Sequence, residues 1–166
     1  TATNYITYFE TKTGASVTLG RYLSEYTSGS ISLFAEELNF KNPAPGVCDA
    51  VPIKFPLVCG QLGNQSTTGF RTSFSRDTRD YFMDPRTGWR ATVGFDYGTP
   101  YLGGSNNFYK YYVDVIKYTP LPFDTRFAIR ARYAEAVGID DHPIPLTERY
   151  FVGGINTMRG FVFGRA

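Results

Sequence analysis

Side chains that commonly perform catalysis are scarce in this sequence. Its 166 residues include one histidine, His142, and two cysteines, Cys48 and Cys59. With so few candidates, a Ser/His/Asp or Cys/His site has no basis, and no Gly-rich phosphate-binding loop is present. His142 follows Asp140 and Asp141, but adjacent side chains seldom point at one ion, so we expect no metal site. The sequence therefore predicts a protein that is not an enzyme and holds no cofactor.

The two cysteines indicate a structural role. Cys48 and Cys59 lie in one segment rich in proline and glycine, and their spacing fits no zinc or redox motif. We predict a disulfide that closes a long loop in an oxidising compartment. In the chain-entropy model such a loop contributes about 3 kcal/mol. The alternative is a pair of unpaired thiols.

The secondary structure predicted for most of the chain is β-strand. Apolar and polar residues alternate with a period of two, whereas the helical period does not recur. We predict one barrel domain over residues 1–166, with strands at 14–24, 30–40, 69–79, 88–98, 107–119 and 125–136. Long loops are predicted at 41–68 and 138–166, and a slip in the pattern at Glu36 and Glu37 predicts a β-bulge. Long loops at one end and short turns at the other are typical of an up-and-down outer-membrane barrel.

Alternation alone does not decide what the apolar face contacts. A soluble barrel or sandwich would bury it, and a membrane barrel would turn it to lipid. Aromatic residues at the ends of the apolar faces favour a membrane girdle, and Trp89 to Tyr97 spans roughly 26 Å of strand. The predicted girdle residues are Trp89, Tyr97, Tyr109, Tyr111, Phe127 and Tyr133. The predicted lumen-lining residues carry charges of both signs and are Arg90, Asp96, Lys110, Asp114, Arg130 and Arg132.

Composition excludes other classes of protein. The chain has 17 Lys and Arg against 15 Asp and Glu, a net charge of +2, which gives no case for nucleic-acid binding. At 42 % hydrophobic residues it is too apolar for a disordered chain. No apolar run reaches the roughly 18 residues of a membrane-spanning helix.

Three motifs resemble one family in their order and spacing. Residues 153–161 contain Gly153-Gly154 followed by Met158-Arg159-Gly160-Phe161. The second motif is Asp77-Thr78-Arg79-Asp80, followed by a Pro-x-x-Gly turn at 85–88, and the third is the strand–turn sequence at 19–26. Together they resemble loop six and two strand ends of the BamA family, the outer-membrane β-barrel assembly proteins. Met158 stands where the family's motif has valine.

The resemblance implies an all-β, antiparallel, up-and-down transmembrane barrel of sixteen strands, of which this chain supplies about six to seven. It implies a factor that folds and inserts β-barrel proteins into the bacterial outer membrane. The implied partners are unfolded outer-membrane clients, periplasmic lipoprotein subunits and outer-membrane lipid. The alternatives are a protein-translocating pore of the two-partner secretion type, which shares the Arg-Gly-Phe loop, and a soluble β-barrel or sandwich that binds a ligand.

The resemblance also implies roles for single residues. Arg159 would fold into the lumen and pair with acidic or aromatic groups on the inner wall, where its planar fork of donors suits a carboxylate. The family's usual partners would lie beyond Ala166. Gly160 would let the backbone turn there, and Phe161 would be an apolar anchor. Residues Asp77, Arg79 and Asp80 are interpreted as an ion-pair corner at the periplasmic rim, with a solvated charged turn as the alternative.

Overall fold

The computed structural model describes residues 9–41, 48, 59–60, 63–140, 143–153 and 160. Six long strands account for most of this part of the chain. They are β1 (Phe9–Ser24), β2 (Thr27–Lys41), β3 (Gly63–Asp77), β4 (Gly88–Gly98), β5 (Phe108–Leu121) and β6 (Thr125–Gly138). Short 3-10 turns follow β4 at Pro100–Leu102 and β6 at Leu146–Glu148.

The strands form one sheet in the order β1-β2-β3-β4-β5-β6, and each pairs antiparallel with the next. The predicted all-β, up-and-down architecture is confirmed. The connections at one end are 25–26, 78–87 and 122–124, and those at the other end are 42–62, 99–107 and the segment after Gly138. The predicted contrast in length holds except for 78–87, which is about as long as 99–107. No helix among the described residues has the length and apolar character needed to cross a membrane.

All the strands except β4 are longer than their apolar alternation predicted. β1 begins at Phe9 instead of 14, and β3 begins at Gly63, inside the predicted loop 41–68. The early part of β3 is polar, yet it is paired on both sides. Backbone amides of Thr99 and Ser105 donate to the carbonyls of Thr68 and Ser66, both at 2.8 Å. Backbone pairing therefore continues beyond the apolar part of the sheet, where side-chain hydropathy gives no signal.

The predicted bulge at Glu36 and Glu37 is wrong. The register of β2 with both neighbours runs through these residues without a shift, and the irregularity in this hairpin lies between Tyr22 and Ser24. The apparent slip came from Phe34, which lies on the polar side of β2. Phe34 is buried at 4 % exposure, and the Arg71 guanidinium lies 4.1 Å from its ring centroid. An aromatic residue on the polar face therefore interrupted the alternation of the sequence, although the strand itself has no bulge there.

The register sorts side chains onto two faces. Val93, Val113 and Tyr133 share one row of the outer, mostly apolar face, and Asp96 and Lys110 share a row of the opposite, polar face. Outer apolar side chains are exposed, with Val17 at 70 % and Leu19 at 72 %. The described residues contain no second sheet to cover them.

Candidate functional site

The polar face carries a continuous set of ion pairs across β1 to β5. Lys12 Nζ lies 2.8 Å from Glu36 Oε2, and Arg71 Nη1 lies 3.2 Å from Glu36 Oε1. Arg71 Nε also lies 3.4 Å from Asp96 Oδ2, which in turn lies 3.3 Å from Lys110 Nζ. Because side chains of neighbouring strands face one another directly, charges of alternating sign connect five strands.

Glu148 completes this set from outside the sheet. It belongs to the 3-10 turn that follows β6, and only 6 % of its side chain is exposed. Its carboxylate contacts Lys110 and lies 3.9 Å from Lys12 Nζ and 3.8 Å from Arg71 Nη2. We call the six residues the Glu148 cluster: Lys12, Glu36, Arg71, Asp96, Lys110 and Glu148.

The segment 143–153 that carries Glu148 lies against the polar face. Tyr150 follows Glu148 closely, and its ring centroid is 5.9 Å from Lys110 Nζ. Pro145 is fully buried, and Arg149 Nε donates to the Ile144 carbonyl at 3.0 Å. The segment is therefore held by its own backbone contact as well as by charges on the sheet.

A second charge cluster lies nearer the short turns. Arg130 Nε donates to Asp114 Oδ1 at 3.0 Å, and Arg132 Nε lies 3.6 Å from Asp114 Oδ2. The Arg132 guanidinium also lies 5.7 Å from the Tyr112 ring. That ring lies over Gly94, where a Cβ would be 2.2 Å from a ring carbon, so any larger residue at this position would have to displace the Tyr112 ring. Arg90 occupies the same face, opposite Asp77 and Ile116.

The six predicted girdle residues all lie on the outer face. The register places Tyr97 beside Tyr109 at the long-loop end, and Trp89 is near the short-turn end. Tyr133 differs from the prediction, because β6 continues for five residues beyond it to Gly138. Its hydroxyl donates to Glu135 Oε2 at 2.8 Å, and the Tyr111 hydroxyl donates to the same oxygen. Alternation did not single out Glu135, a carboxylate on the apolar face.

The turn at 78–87 is built around two aspartates. Arg79 Nε donates to Asp77 Oδ1 at 2.8 Å, and its Nη2 pairs with Oδ2 of the same carboxylate. Asp80 Oδ1 accepts from the backbone amides of Tyr81 at 2.9 Å, Arg86 at 3.0 Å and Thr87 at 3.2 Å. These backbone donors, with the Thr87 amide contributing most, lower the pKa of Asp80 from its ordinary value of 3.8.

Ion pairs also join this turn to the neighbouring one at 122–124. Arg126 contacts Asp84 and donates to the Pro85 carbonyl at 3.0 Å, while Arg86 pairs with Asp124. Arg126 therefore serves the turns, although it lies in the same stripe as Arg130 and Arg132. Asp124 has a positive φ of 55°, a conformation that L residues adopt at some cost.

The predicted loop-six residues are mostly outside the described part of the chain. Gly154, Met158, Arg159 and Phe161 lie there, as does His142. Two flanking glycines are described, and both have positive φ, 114° at Gly153 and 89° at Gly160. A disulfide joins Cys48 to Cys59.

Sequence reasoning missed Glu148, the buried carboxylate of this site. Glu148 lies in a predicted loop with no periodic pattern, so nothing in its local sequence marks it as buried. Alternation already puts Glu36 and Arg71 on the polar side of their strands, and extending the alternation of β1 would have added Lys12 to the same face. What alternation lacks is the position of a loop relative to a sheet.

Two comparisons relate this chain to known proteins. The model of a family described as the Omp85 superfamily domain matches residues 1–166. Among solved structures, the fold is similar to the crystal structure of BamA from Haemophilus ducreyi lacking POTRA domains 1-3, with a TM-score of 0.75 at 20 % sequence identity. The match covers 95 % of this chain and 31 % of that chain. The six strands thus correspond to part of a barrel.

Proposed function

The chain belongs to the Omp85 superfamily, and from this premise we propose that it forms part of the barrel of a factor that folds and inserts β-barrel proteins. Its place is the bacterial outer membrane, and its role lies in outer-membrane protein insertion or translocation. The chain spans about a third of the BamA structure that it resembles. The specific activity of assembly, carried out without nucleotide or cofactor, is our proposal.

The two faces of the sheet support this assignment. We assign the apolar face to lipid, with the aromatic pair Tyr97 and Tyr109 at one membrane interface and Trp89 near the other. The polar face, with its paired charges, we assign to a water-filled lumen. Bacterial barrels have short turns on the periplasmic side, so the turn at 78–87 would be the predicted ion-pair corner at the periplasmic rim.

The observation that carries the proposal is the position of segment 143–153 against the polar face. When further strands close the barrel, that face becomes the inner wall, and the segment would lie inside the lumen. We propose that it leads into loop six, with Gly153, Gly154 and Met158 before Arg159 and with Gly160 and Phe161 after it. Arg159 would then pair with the inner wall and stabilise the barrel interior.

The physical mechanism that we propose is strand templating. An open barrel edge presents unpaired amides and carbonyls, with which a strand of an unfolded client can pair. Local thinning of the bilayer would lower the cost of insertion. The charged lumen and loop six would keep the rest of the barrel closed while one edge opens. In this proposed mechanism, the partners are client proteins, periplasmic lipoprotein subunits and lipid.

The test is an insertion assay with the complete protein that contains this chain, reconstituted in phospholipid vesicles. We expect urea-unfolded barrel proteins of several unrelated types to gain protease resistance at least tenfold faster than in empty vesicles. Arg159→Ala should reduce the acceleration, and Arg159→Lys should not restore it, because lysine lacks the planar fork. Arg76→Lys, on the outer face of β3, is the matched control.

Each negative result contradicts a different part of the proposal. No acceleration by the wild-type protein would reject the assembly activity, and export of one passenger protein instead would support the two-partner secretion pore. Full acceleration by Arg159→Ala would reject the role of the motif arginine in loop six.

A further inference from the structure

The charges of the Glu148 cluster balance only when segment 143–153 is in place. The strands contribute three cations, Lys12, Arg71 and Lys110, and two carboxylates, Glu36 and Asp96. The third carboxylate, Glu148, comes from the segment and neutralises the set. Without Glu148 the five strand residues carry one more positive than negative charge, and Lys110 among them is 15 % exposed. The strand residues by themselves therefore favour the binding of one further carboxylate.

The geometry of this site fits a single carboxylate well. Its three cations come from β1, β3 and β5, which are alternate strands of the sheet. At about 4.8 Å between neighbouring strands, β1 and β5 are separated by roughly 19 Å along the sheet. Side chains from both nevertheless reach Glu148, so the polar face is concave here. A carboxylate at the centre of this concavity is contacted from both sides.

Of three consecutive residues, only Glu148 directs its side chain into the cation site. Arg149, the next residue, turns its guanidinium back to the Ile144 carbonyl and remains half-buried. Thr147, the preceding residue, is exposed. Within three consecutive residues, the acidic side chain enters the cation site and its neighbours take other directions.

We infer that Glu148 is a positioning residue that seats segment 143–153 on the three-cation site of the polar face, separately from the motif arginine eleven residues later. The inference rests on the proposed function in one respect, namely that this face is the lumen wall and the segment begins loop six. It adds a second attachment point, which fixes where loop six enters the lumen before Arg159 is reached.

We call the attachment of segment 143–153 through Glu148 the seat. It can be tested by tryptic cleavage after Arg149 in the folded, complete protein in detergent micelles. Glu148→Gln removes the charge and keeps the shape, so we expect cleavage after Arg149 at least tenfold faster than in the wild type. Glu148→Asp keeps the carboxylate and should restore most of the protection. Glu37→Gln is the matched control, because Glu37 is an exposed carboxylate on the outer face of β2.

A second variant approaches the seat from the strand side. Lys110→Gln should accelerate the same cleavage, and combining it with Glu148→Gln should add little, because both changes break one contact. If Glu148→Gln does not fold, as judged by heat-modifiable gel mobility, Lys110→Gln decides the matter. Wild-type cleavage rates in the folded variants would overturn the seat, and so would failure of Glu148→Asp to protect.

The seat and the proposed function fail in different ways. If the wild-type protein does not accelerate client insertion but Glu148→Gln exposes Arg149, the assembly activity is rejected and the seat is retained. If insertion is accelerated and Arg149 remains equally protected in Glu148→Gln, the seat is rejected and the assembly activity is retained.

Discussion

The Glu148 cluster and the turns at the short-turn end use the same chemistry in different surroundings. In the cluster, the side chains of Glu148 and Lys110 are exposed by 6 % and 15 %. At the turns, Arg86 and its partner Asp124 are exposed by 60 % and 74 %. A buried charge that loses its partner stays desolvated, whereas an exposed one is solvated by water. Breaking an ion pair should therefore cost more stability in the cluster than at the turns.

The comparison also separates two ways of fixing a loop. Segment 143–153 is held by side chains of three distant strands, so its position depends on the tertiary structure. The turn at 78–87 is held largely by its own residues, because Asp77 pairs with Arg79 and Asp80 accepts from amides within the same turn. We expect the turn to keep its shape when other parts of the molecule are changed, and the segment to lose its place.

Arg71→Met should have the largest effect. It removes the cation that contacts Glu36, Asp96 and Glu148 and that covers Phe34. Because Arg71 is one-third exposed, we expect a loss of on the order of 2 kcal/mol, below the 3–5 kcal/mol of fully buried pairs. The measurement is the temperature at which the complete barrel loses its folded gel mobility.

The control for this prediction is Arg76→Met. Arg76 lies on the same strand but on the outer face, with its guanidinium 5.8 Å from the Trp89 ring. If the two variants lose their folded mobility at the same temperature, the buried cluster has no special importance and the comparison fails.

Asp80→Asn should have an intermediate effect that depends on pH. The lowered pKa of Asp80 means that its ionised form is favoured in the folded turn, so this stabilisation is present above its ordinary pKa of 3.8 and is lost as pH falls through the folded pKa. At pH 7 we expect the backbone amides of Tyr81, Arg86 and Thr87, which donate to Asp80, to exchange hydrogen a few-fold faster in the variant than in the wild type.

The pH dependence is the decisive part of that experiment. After correction for intrinsic exchange rates, the difference between wild type and Asp80→Asn should disappear below the folded pKa, where both side chains are neutral. Asp84→Asn, which leaves intact the three hydrogen bonds from backbone amides to Asp80, should resemble the wild type. A difference that persists unchanged at low pH would exclude the carboxylate as its cause.

Arg86→Ala should have the smallest effect. Its pair with Asp124 raises the pKa of Arg86, but both side chains are largely in water and remain well solvated when separated. We expect no measurable change in the melting temperature from gel mobility. A decrease as large as that of Arg71→Met would show that burial does not distinguish the two regions.

Much of the sheet could be predicted from the sequence, because a strand's side chains alternate between faces regardless of what lies beyond it. The run from Trp89 to Tyr97 has its predicted face and bounds close to those of β4. The polar continuation of β3 from Gly63 was missed, since its pairing depends on backbone contacts with residues 99–105. The slip near Glu36 and Glu37 was wrongly interpreted as a bulge, because the sequence does not show that Arg71 of another strand covers Phe34 on the polar face.

The sequence by itself determined the order of strands, the two faces and the family resemblance, because each depends on residue types at short, regular spacing. The tertiary structure alone decided that Glu148 is buried among Lys12, Arg71 and Lys110. These residues are far apart along the chain, and their contact depends on the curvature of the sheet and on the path of the segment after β6. Electrostatic pairing acts through space, so no local pattern could predict it.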